Sequence, residues 1–181
     1  MINRVLCTYA KQMERYMSSF LHQPEGLVEV AQIGSQTEEA PCKIQISLLS
    51  IERETAQGMM AGKVGNAGRF TAVSSPSIHV NLNVIIAAVF NEKRYKESLT
   101  AISLAITFLQ SESYFSTDEG VRYTIEICNP SLQDQSNIWA MMGGKYYPSV
   151  FCKIRGLTFD SGEMRQTLAS IEENKTNTYM Q

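Results

Sequence analysis

The run richest in chemistry-bearing side chains is WAMMGGKYYPS, residues 139–149, with the only Trp, a Met pair, a Gly pair, Lys145, two tyrosines and Pro148. A reactive lysine needs burial or a charged neighbour to lower its pKa, and Lys145 sits on a turn where such groups are normally solvated. The same residues fit an architectural joint better. Trp139 and Met142 dock a short helix onto a sheet, and Gly143 and Gly144 reverse the chain tightly with positive φ. Tyr146 and Tyr147 straddle the turn, one ring inward and one outward, and Pro148 fixes the first residue of the next strand.

Other constellations carry weaker chemistry. GMMAGKV (58–64) resembles a phosphate loop, but three residues stand between its glycines where four are needed, and Val64 follows Lys63 in place of Ser or Thr. Cysteine catalysis needs a thiolate, a base and an orienting group. Cys7, Cys42, Cys128 and Cys152 are widely spaced with no CxxC, and three of them fall at or within predicted strands, where thiols are inert packing groups. The candidate bases are His22, at a helix end, and His79, beside Asn81 and Asn83 in a hydrogen-bonding row. Two histidines and scattered thiols do not make a zinc site. Glu38-Glu39, Glu52/Glu54 and Glu172-Glu173 read as solvated clusters, because sequence neighbours do not converge on one substrate atom. We expect no catalytic residue, no cofactor and no metal.

Composition narrows the partners. A net charge of −2 with no Lys/Arg run argues against a phosphate-backbone interface, so nucleic acid is not an expected partner. No stretch approaches the apolar length of a membrane span, and MINRVLCTYAKQMERYM lacks the apolar core of a secretory signal. Synthesis and assembly in the cytoplasm follow, with no direct membrane insertion.

The elements that would position these residues can be read from periodicity. Ile2, Val5, Leu6, Tyr9, Met13, Tyr16, Met17 and Phe20 form one helical stripe over 2–21. A short strand is expected at 27–33 and a longer one at 43–54, where Leu49 and Ile51 break the alternation and imply a bulge or burial on both faces. Residues 55–76, with four glycines, read as a long mobile loop. The longest strand is 77–90, passing from wet to buried on its His79 face. A helix over 92–110 carries Tyr95, Leu99, Ile102, Ile106 and Leu109, and 111–120 reads as a polar loop. Strand 121–128 points Val121, Tyr123, Ile125 and Ile127 inward. A helix capped by Asn129-Pro130 carries Leu132, Gln135, Trp139 and Met142, and 149–159 is the last strand. The polar tail 161–181 has room for one marginal helix through Met164, Leu168 and Ile171. The expectation is an α/β (α+β) domain over 1–160, order α-β-β-β-α-β-α-β, whose mixed, largely antiparallel sheet packs against helices.

Three stretches resemble one family. KIQISLLSIERET (43–55) is similar to an ISLVNIEEE strand, and 77–115 to a "YLNLYVLF…Y.EAL..LS.II.FFQ" pattern. SNIWAMMGGKYYPSVFCKIRGLTFD (136–160) is similar to "LW..LG.KY.PSV.YKVR.LT.D". The sequence thus resembles the cap, or tail-terminator, proteins of phage-tail-like contractile injection particles of the antifeeding-prophage type. It departs from them in a Gly-rich loop at 58–75 where a Pro-rich one is usual, and in a Met pair where Leu is usual.

The resemblance implies a tail-terminator-like fold and a non-enzymatic subunit of a ring, typically a hexamer. Such a ring closes the baseplate-distal end of the inner tube and sheath. Tube and sheath proteins would be its partners, alongside copies of itself. A closed ring needs heterologous contacts, and segments that order on docking suit it. The Gly-rich loop, with Gly62, Lys63 and Arg69, and the tail, with Leu168 and Ile171, are the candidate docking segments. The competing readings are another ring-forming adaptor or connector of the same apparatus, and a small cysteine/histidine hydrolase or ligand-binding module.

Overall fold

The computed structural model describes residues 1–21, 26–34, 40–54, 63–65, 71–74, 77–160 and 164–167. In chain order the elements are α1 (Ile2–Leu21), β1 (Val28–Val30), β2 (Lys43–Arg53), β3 (Lys63–Gly65), β4 (Thr71–Ser74) and β5 (Ile78–Val89). They continue with α2 (Tyr95–Ser111), β6 (Tyr114–Ser116), β7 (Arg122–Cys128), α3 (Leu132–Met141), β8 (Ser149–Phe159) and β9 (Met164–Thr167). The chain divides into two compact units, Met1–Arg53 with Val80–Leu157, and Glu54–His79 with Thr158–Gln181.

The larger unit is built on a six-stranded sheet of order β1-β2-β5-β8-β7-β6. β2–β5, β7–β8 and β6–β7 are antiparallel, while the short β1 runs parallel to β2. The α+β class and the mostly antiparallel sheet therefore stand as expected. The expected element order was incomplete. β6 lies in the segment read as a polar loop, and β3, β4 and β9 add a second sheet. Each of these is three or four residues long, too short to show alternation.

One face of the large sheet packs α1 and α2. Val5, Leu6, Tyr9, Met13 and Met17 of α1 are buried against Ile44, Ile46, Leu82, Val84 and Ile86 of β2 and β5. Each such side chain contributes about 1.5–3 kcal/mol relative to exposure. Tyr9 anchors an aromatic cluster, its ring 4.8 Å from Phe115 and 5.5 Å from Phe108.

α2 differs from its sequence reading. Its buried face is Ser98, Ala101, Ile102, Ala105, Phe108 and Leu109, whereas Tyr95, Leu99 and Ile106 are exposed. The large apolar residues overrode the small ones in the sequence pattern, but small residues let helix α2 pack closely, and close packing sets the buried face. Val121 and Ile127, expected inward, are exposed too: Val121 precedes β7, and Ile127 is its penultimate residue.

α1 also serves both open edges of this sheet. Glu14 accepts from the backbone N–H groups of Gly26 and Leu27 at 2.8 and 3.0 Å and from Val28 at 2.5 Å, tying down the start of β1. Gln12 Nε2 donates to the carbonyl of Ser116 on the opposite edge strand β6. Unpaired edges invite foreign strands, and covering them with a helix is one way proteins prevent this.

The smaller unit contains the sheet β3-β4-β9, in which β4 pairs antiparallel with both neighbours. The Gly-rich segment is therefore not one uninterrupted loop. Likewise Met164–Thr167 is strand β9, where a marginal helix was expected, because its backbone is satisfied by pairing with Thr71–Ser74.

Candidate assembly surfaces

The opposite face of the large sheet carries α3 and a second, smaller core. Ile33, Ile85, Ala87, Val89, Trp139 and Phe151 form it, with Leu49, Ile138, Met142 and Tyr147 packed at its margin. A register shift between Leu48 and Ser50 against β5 is the bulge implied by the sequence. It turns Leu49 toward Trp139's cluster and keeps Ile51, opposite Leu82, on the face of Ile46.

The helix bearing Trp139 is bounded by local chemistry. Ser131, not Asn129, is its N-cap: the Ser131 hydroxyl accepts from the Asp134 N–H at 3.2 Å and donates to the Asp134 carboxylate at 2.6 Å. Pro130 precedes the cap, and its carbonyl accepts from the Gln135 side chain. Leu132, expected on the docking face, is 85% exposed in consequence.

At the C-terminal end the Gly144 N–H donates to Trp139 O at 2.8 Å and the Gly143 N–H to Ala140 O at 3.4 Å. Gly143 has φ +96° and Gly144 φ +75°, so this is a Schellman closure in which a left-handed residue follows the last turn. Trp139 is buried, with the Tyr146 ring edge-on at 5.6 Å and the Tyr147 ring at 6.0 Å. Tyr147 is half-buried, Tyr146 is exposed, and Pro148 is buried with its carbonyl accepting from Ala88 N–H at 2.9 Å. Lys145 reaches toward the Tyr147 ring and lies 3.8 Å from Glu92, both side chains of the pair being well exposed. Trp139 Nε1 is buried without a hydrogen-bond partner among the described residues.

Sequence reasoning missed Gly34. A Cβ there would lie 1.9 Å from the carbonyl oxygen of Met142, and Gly34 has φ +88°. The turn at Ile33–Gly34 thus sits directly against the end of α3, opposite Gly143. Only its glycine identity hinted at this, since the contact spans more than a hundred residues.

Beside this joint, Leu49, Ile138, Met141 and Phe151 wall a groove of about 430 Å³ whose polar lining includes Ser50, Asn83 and Lys153. Beyond it the uncovered sheet face is a lattice of paired charges. Lys153 binds Glu52 at 2.8 Å, Asn83 donates to Glu52 and Ser50, and Arg155 binds Glu126. The Lys153 hydrogen bond, then that of Asn83, holds the Glu52 carboxyl below its usual range.

The groups weighed for catalysis are placed as follows. The Cys152 thiol is pushed up to about 12 by burial and then by nearby Cys128, which disfavours the nucleophilic thiolate. His79 shares Nδ1 with the Thr158 hydroxyl at 2.9 Å and Nε2 with the Ser77 hydroxyl at 3.4 Å. Lys63 lies in strand β3 and not at a helix start, so it does not sit in a phosphate-loop geometry. Among the described residues no three His, Cys, Asp or Glu side chains form a group able to hold a metal ion. None of their helices is long and apolar enough to cross a membrane. His22, Glu38, Glu39, Gly62, Arg69, Leu168, Ile171, Glu172 and Glu173 lie outside the described residues.

Residues 5–171 match the family described as the Pvc16 N-terminal domain. No curated protein matches the sequence significantly. Among solved structures, the fold is similar to the sheath/tube terminator, in its extended state, of an extracellular contractile injection system, with a TM-score of 0.63 and 11% identity over 100% of this chain. It is also similar to the tube-terminating cap of the anti-feeding prophage, with a TM-score of 0.58 and 14% identity over 93% of this chain. At these identities the likeness is one of fold. The chain spans 64% and 60% of those two proteins.

Proposed function

The chain belongs to the Pvc16 N-terminal domain family, and from that premise we propose that it is a structural terminator of a contractile injection particle. It closes the baseplate-distal end of the inner tube and holds the last sheath layer, as one subunit of a ring, six copies matching six-fold tube symmetry. The observation that carries this reading is the fold match over the full chain to a sheath/tube terminator. The role is assembly rather than catalysis: the buried thiol is held protonated and the polar sheet face is spent on internal ion pairs.

The segments proposed to dock belong together. Strand β4 joins β3 of the Gly-rich segment, which holds Lys63, to β9 of the C-terminal tail. We propose that this sheet is the docking module toward a neighbouring subunit or the sheath. A chain truncated at Asp160 loses β9 and should form rings poorly; normal capping by it would refute the docking role.

Deleting the gene and imaging the particles tests the terminator reading. Over-long or open-ended tubes are expected. Particles of normal length with normal caps would overturn it.

A further inference from the structure

We draw no further inference here: the strongest candidate, the apolar groove between α3 and the large sheet walled by Leu49, Ile138, Met141 and Phe151, carries none, because the charged residue on its wall, Lys153, is already paired with Glu52 and nothing in the structure shows what covers it.

Discussion

Gly34 and Met142 meet backbone to backbone: a methyl group on Gly34 would stand 1.9 Å from the Met142 carbonyl oxygen. The contact locks the turn after β1 to the end of α3, two pieces of chain joined by nothing in the sequence. Gly34→Ala should therefore destabilise the large unit by more than about 2 kcal/mol, combining the clash with the left-handed φ of +88°. Urea unfolding monitored by Trp139 fluorescence reads this directly, and an unchanged midpoint would mean that the turn is not packed there.

Trp139 fills the small core while its Nε1 goes unpartnered among the described residues. Trp139→Ala should cost about 3–5 kcal/mol through the cavity it leaves. Trp139→Phe keeps an aromatic ring and removes the orphan N–H, and its cost should stay below about 2 kcal/mol. Should the alanine variant prove as stable as wild type yet fail to assemble, the indole contacts a partner and not the core.

Cys152 should be the slow thiol. Its burial pushes the pKa up to about 12, whereas Cys7, Cys42 and Cys128 are half-buried. A thiol reagent should label the other three at least tenfold faster under native conditions, and Cys152 only on unfolding. The same shift makes stability pH-dependent. Below about pH 8.5 the thiol is protonated in both states; above it the unfolded thiol ionises first, so stability falls as pH rises. Urea midpoints at pH 8 and 9.5 should diverge in wild type and converge in Cys152→Ala.

Glu29 works in the opposite sense. Burial alone would raise its pKa, but hydrogen bonds from Gln45 at 2.8 Å and Lys43 at 2.9 Å together outweigh that and lower it. Its contribution is present above about pH 4.3, the unfolded value, and is lost as pH falls through the lower folded value. Comparing urea midpoints at pH 6 and pH 3.5 should show a smaller drop for Glu29→Gln than for wild type. Equal drops would assign the acid sensitivity to other carboxylates.

Much of the joint was legible because its causes are local. A Gly pair after an apolar helix stripe, a Pro before an alternating strand and a break in alternation at Leu49 each have a physical reading within a few residues. The α2 face was misread for a physical reason: large residues dominate periodicity, yet Ser98, Ala101 and Ala105 are the ones that permit close packing. The α3 cap was misplaced because Asn129-Pro130 and Ser131-x-x-Asp134 are rival start signals two residues apart, and only hydrogen-bond geometry separates them.

Local sequence alone dictates the α1 stripe, the long strands β2, β5, β7 and β8 and the glycine-closed end of α3, since each follows from side-chain period or backbone freedom over one segment. It determined the family as well, through motifs spread along most of its length. Folding in three dimensions is what brings Gly34 against Met142, Glu14 and Gln12 of one helix to opposite edge strands, and the Gly-rich segment to the tail through β4 and β9. Those contacts join residues from 14 to more than a hundred positions apart. Their energy depends on distance in space, which no local pattern records.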